Sequence, residues 1–96
     1  MNLAFHPLVE DDLVEGASFY EARNPGLGTD FLVDVRRAAQ DLARAPERWP
    51  RVEGTVRRCL LRRFPYALFY RHEPDRVLVL AVHHTRRRPG SWKTRL

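Results

Sequence analysis

The sequence has little of what holds small secreted domains and metal sites together. Cys59 is the single cysteine among 96 residues, so no intramolecular disulfide can form. No CxxC pair and no Cys/His spacing of the zinc type occurs. No apolar run approaches the roughly 18 residues a membrane span needs. The opening Met1-Asn2-Leu3-Ala4-Phe5-His6-Pro7 lacks the basic start and long apolar stretch of a signal peptide. There are no repeats and no low-complexity segment. These absences leave a cytoplasmic chain with no membrane partner, expected to form one domain over residues 1–96 and to need neither metal nor cofactor.

Lysine is nearly missing as well: Lys93 stands against sixteen arginines. A guanidinium is a planar fork of donors suited to phosphate and carboxylate, so a basic chain written in arginine points to an anionic partner. The net charge of +5 is unevenly placed. Residues 1–56 hold six Arg and ten Asp or Glu, a balance of −4, and residues 57–96 hold eleven Lys or Arg and two acids, a balance of +9. The basic half suggests nucleic acid, an acidic protein, or both. Apolar residues at 44% and charged residues at 30% are those of a globular chain, not a disordered one.

Periodicity gives the elements. Leu3-Ala4-Phe5 is a short apolar strand, stopped by His6-Pro7. Val9, Leu13, Ala17 and Tyr20 recur at helical spacing, and Glu10, Asp11 and Asp12 suit a helix N-terminus, so a helix is predicted over about 8–23. Asn24-Pro25-Gly26 breaks it. Leu27, Phe31, Val35, Ala38, Ala39 and Leu42 form one stripe, with Asp30, Asp34, Arg37 and Asp41 mainly on the other side, which predicts a second helix over about 27–45. Pro46 to Pro50 reads as a rigid loop. Strands are predicted at Thr55–Leu61, Tyr66–Arg71 and Val77–Val82; the last is apolar on both faces, as a central strand is. The expected fold is α+β, in the order β-α-α-β-β-β: a helical hairpin packed on a small, mainly antiparallel sheet.

Several stretches resemble one family. Phe5-His6-Pro7, the run from Tyr20 to Gly28 and then Phe31 are similar to the first half of the RelE/ParE toxins. So are Val56-Arg57-Arg58 and Arg63-Phe64-Pro65-Tyr66-Ala67-Leu68-Phe69-Tyr70-Arg71. The ending Ala81-Val82-His83-His84-Thr85-Arg86-Arg87-Arg88-Pro89-Gly90-Ser91-Trp92 resembles the closing motif of the ParE-like branch. The resemblance covers nearly the whole chain. It implies the same β-α-α-β-β-β fold, and a cognate antitoxin that would wrap the toxin with an acidic, amphipathic segment. It also implies one of two targets: messenger RNA on the ribosome, cleaved by RelE-like members, or DNA gyrase, poisoned by ParE-like members.

Cleaving RNA through its own 2′-hydroxyl needs a base, a donor for the leaving oxygen and positive charge around the phosphorus. Arg57 and Arg58, Arg71 and Arg86 are the candidate phosphate clamps, since the resemblance to RelE-like nucleases implies basic residues at corresponding places on these strands, and His83 and His84 are candidate proton shuttles because imidazole titrates near neutral pH. Arg57, Arg63, Arg87, Arg88 and Trp92 are the candidates for contact with target or antitoxin. Arg57 and Arg58 are adjacent, so strand alternation lets only one of them face a given side. RelE-like nucleases often carry a tyrosine near position 92; Trp92 has an N–H donor but no acid–base chemistry. Tyr66, Tyr70, Phe64 and Phe69 read as packing residues, and Cys59 as a small buried one. Three readings follow: a toxin that inhibits by binding a macromolecular target, a metal-independent ribosome-dependent endoribonuclease, and a non-toxic basic module that binds nucleic acid.

Overall fold

The computed structural model describes residues 1–96. In chain order these form β1 (Asn2–Phe5), α1 (Val9–Arg23), α2 (Leu27–Arg44), β2 (Arg51–Glu53), β3 (Val56–Leu60), β4 (Tyr66–His72), β5 (Arg76–His84) and a 3-10 turn at Lys93–Arg95. The strands make one sheet in the order β1-β5-β4-β3-β2, with β1 parallel to β5 and every other pair antiparallel. The helices cover one face. Val9, Phe31, Val35, Ala38 and Leu42 meet Cys59, Leu68, Tyr70, Val77, Val79 and Val82 there in the larger core cluster. A smaller cluster of Val56, Leu80, Ala81 and Trp92, with Phe69 and Leu78 beside it, lies on the second face.

The helical hairpin is tight because glycines stand where the helices touch. A Cβ on Gly28 would lie 2.6 Å from the Ala17 carbonyl oxygen, and one on Gly16 would lie 2.7 Å from the Phe31 ring. The start of α2 has no capping side chain of its own, and Gly26 holds the left-handed conformation, φ 89°. Glu21 of α1 supplies the cap: its carboxylate accepts from the Gly26 and Gly28 N–H groups at 3.0–3.1 Å. Glu21→Ala leaves those donors without a protein partner, and is expected to cost about 1 kcal/mol. In a chain of this size that lowers the melting temperature by roughly 4–8 °C, read by thermal denaturation.

Asp34 departs from the sequence reading. Placed there on the polar side of α2, it is buried, where Oδ2 accepts the Arg63 N–H at 3.0 Å and Oδ1 pairs with Arg37 at 2.8 Å. Burial pushes its carboxyl up, but these bonds outweigh it and hold the group below the usual carboxylate range. The β3–β4 turn is thereby tied to α2.

The sheet has one strand more than periodicity predicts. Arg51-Val52-Glu53 pairs with β3 through a turn at Gly54, φ 54°, and all three residues are exposed. A three-residue edge strand with no buried side has no alternation to read. A second irregularity is a bulge in β5. Pairing passes from Tyr70↔Val79 to Phe69↔Ala81, which leaves Leu80 as the extra residue. Leu80 and Ala81 therefore both join the second-face cluster.

Candidate functional site

Strand alternation divides the arginines between the two faces. Arg57 pairs with Tyr70 in register and lies toward the helices. Its Nη1 donates to the carbonyls of Glu47 (3.1 Å) and Trp49 (2.7 Å), and the Tyr70 hydroxyl donates to the Pro46 carbonyl at 2.7 Å. These bonds anchor the 46–50 loop. Burial pushes the Tyr70 phenol up to about 12. Arg58 faces the other way, opposite Phe69.

On that second face the segment after β5 folds back over the sheet, and the two together enclose a shallow concavity of about 200 Å³. Its basic wall is Arg58, Arg87 and Arg88, and its apolar wall is Val52, Phe69 and Trp92. None of the three arginines has an ion-pair partner, and all three are exposed. The one acid lining the concavity, Glu53, is taken by Lys93 at 2.8 Å. Trp92 is buried and stacks on Phe69, with centroids 6.1 Å apart and planes at 27°.

The other residues singled out from the sequence lie elsewhere. Arg71 is half-buried and pairs with Glu73 at 3.0 Å, lining a neighbouring depression that shares Glu53 and Trp92 with the concavity. Arg86 is exposed outside the concavity, and its backbone N–H donates to His84 Nδ1 at 3.0 Å. Arg63 sits at the β3–β4 turn, 3.5 Å from Asp30 and over the Phe64 ring. His83 is 2% exposed, and its Nδ1 is 2.7 Å from Ser91 Oγ. The candidates thus do not form one surface; the structure brings together Arg58, His84, Arg87, Arg88 and Trp92.

Behind the concavity stands a polar group that the sequence did not reveal. Asp12, read there as a helix-start carboxylate, is buried and takes both arms of Arg95 from the C-terminal turn, with Nη2 at 2.8 Å from Oδ1. Asp12 Oδ2 also accepts the Val82 N–H, and Arg95 donates to the Leu80 carbonyl, so backbone groups around the bulge find side-chain partners. Burial alone would push the Asp12 carboxyl up. The bonds from Arg95 and Val82, with His83 close by, hold it well below the usual carboxylate range. His83 Nε2 stands 3.6 Å from Asp12, too far for a full hydrogen bond. The line Ser91–His83–Asp12 has the residue types of a nucleophilic triad but not its chemistry, because Arg95 already neutralises the carboxylate that would support an imidazolium. Cys59, buried and pushed up to about 11, is no nucleophile either. No three His, Cys, Asp or Glu side chains converge as a metal site would require, and no helix is long and apolar enough to cross a membrane.

The fold matches a chain of the chromosomal ParDE TA system from P. aeruginosa, with a TM-score of 0.77 over 88% of this chain and 95% of that one. At 19% identity this likeness speaks to the fold. No curated protein sequence matches. The family model described as ParE toxin of type II toxin-antitoxin system, parDE, matches residues 3–89. With nearly the whole chain covered and the α+β architecture in agreement, this protein belongs to the ParE toxin family of type II toxin–antitoxin systems.

Proposed function

We propose that the chain is the growth-inhibiting half of a toxin–antitoxin pair, that it acts by binding a macromolecular target, DNA gyrase, and that an acidic antitoxin segment neutralises it. The observation that carries this reading is the unpaired set Arg58, Arg87 and Arg88 around one concavity on the second face of the sheet. Exposed guanidinium groups with no internal partner are free to make charge-assisted bonds to carboxylate or phosphate. Of the nearby groups with acid–base capacity, His83 is sealed against Ser91, and His84 has its Nδ1 engaged by a backbone N–H. Binding needs no proton shuttle, whereas strand scission does.

The endoribonuclease reading keeps one observation in its favour, since half-buried His84 lines the same concavity as the three arginines. Inducing the gene alone and together with the reading frame beside it separates the cases. Growth arrest relieved by the neighbour, with cleaved DNA held on gyrase, is the expected result. Codon-phased cuts in translated messages, without trapped DNA, would transfer the assignment to the ribonuclease. Harmless expression of the chain alone would remove both.

A further inference from the structure

Arg87 and Arg88 sit on a loop with no regular structure between β5 and the C-terminal turn. Flexible arginines on a flexible loop would lose much of their binding energy to ordering. Here the loop is ordered by its own short bonds. Thr85 N–H donates to the Pro65 carbonyl at 2.8 Å, Arg87 N–H to His84, and Ser91 N–H to Arg88. Two longer ties close it. The first is the 2.7 Å bond between His83 and Ser91, which joins the last residues of β5 to the far end of the loop. The second is Arg95 on Asp12, which fixes the following turn to α1, 83 residues away in the chain. Gly90 turns the chain just before Ser91 in the left-handed conformation, φ 78°.

The geometry points to His83, Ser91, Asp12 and Arg95 as positioning residues: they hold residues 85–96 in the shape that sets Arg87 and Arg88 facing Arg58. This rests on the reading of the concavity as the target-binding surface. None of the four needs to touch the target. They act through the loop, as residues behind a binding site do when they restrict its side chains to the productive arrangement.

Ser91→Ala in the full chain tests the first tie. Ser91 is only half-buried, so its hydroxyl can be removed without opening the core. Amide exchange in residues 85–92 is expected to speed up roughly tenfold, as loss of one short hydrogen bond allows, while exchange in β4 and β5 is unchanged. Affinity for gyrase is expected to fall by about the same factor, with the melting temperature lowered by roughly 4–8 °C and the chain still folded at the temperature of the assay. Ser91→Thr, which keeps the hydroxyl, restores both. Unchanged loop exchange in Ser91→Ala, or faster exchange with full affinity, overturns the positioning role. Full affinity after removal of Arg58, Arg87 and Arg88 is a different failure: it shows that the concavity is not the binding surface, and the positioning role falls with it.

Discussion

Replacing Asp12 with alanine is expected to cost about 3–5 kcal/mol, because it strands the Arg95 guanidinium in a buried position without its counter-charge. Against a total stability of about 5–15 kcal/mol for a domain, that unfolds a substantial fraction of the protein. The loss has a second part, since the Val82 N–H also loses its acceptor. Asp12→Asn keeps an acceptor for that N–H and is expected to cost less. Urea denaturation of both variants gives the comparison. The pH dependence follows from the sign of the shift. The Asp12 carboxyl titrates lower in the folded chain than in the unfolded one, so its contribution is complete above the unfolded value near 3.8 and is lost as pH falls below it. Wild type should lose stability steeply below about pH 4, and Asp12→Asn should lose less over that interval. Equal acid slopes for the two proteins would contradict the assignment.

Phe31→Ala is expected to cost a further large amount, about 3–5 kcal/mol, and to do so by a different mechanism. Phe31 is fully buried, and its ring meets those of Tyr20, Phe64 and Tyr66 at centroid distances of 5.6, 5.5 and 4.8 Å. Removing it opens a cavity between both helices and the β3–β4 turn. Gly16→Ala approaches the same ring from the other side and must displace it, since the added methyl would lie 2.7 Å from two ring carbons. The two positions are therefore coupled. In a double-mutant cycle, Gly16→Ala combined with Phe31→Leu should be less destabilised than the sum of the single changes, because leucine lacks the ring atoms that collide. Additive costs would show that the ring moves aside freely.

These two features were legible in the sequence to very different degrees. Phe31 lies on the clearest stripe in the chain, and α2 occurs at Leu27–Arg44, within a residue of its predicted limits. The central position of β5 was readable from six consecutive apolar side chains, and β5 does lie between β1 and β4. Asp12–Arg95 was not readable, because an ion pair between residues 83 apart has no local pattern, and Asp12 had a sufficient local explanation as a helix-start acid. The arginines fall between these cases. Their abundance is compositional, but which of them share a surface depends on strand parity and on loop closure. Arg57 has the parity of Cys59 and Leu61, both of which turn toward the helices, so a helix-facing Arg57 was available from the pattern. Val56 and Leu60 are also apolar and have the opposite parity, which left the choice open. The meeting of Arg58 with Arg87 and Arg88 depends on how residues 85–92 fold back, and no periodicity encodes that.

The central claim is that the three unpaired arginines of the second-face concavity bind the target. Purified wild type and an Arg58→Ala/Arg87→Ala/Arg88→Ala variant, compared for trapping of cleaved DNA by gyrase, test it most directly, with Arg36→Ala as a control for loss of an exposed helix charge. The triple variant should fold normally, since all three side chains are exposed, and should need roughly a hundredfold more protein for the same trapping, while Arg36→Ala matches wild type. Trapping by the triple variant at wild-type concentrations would contradict the account.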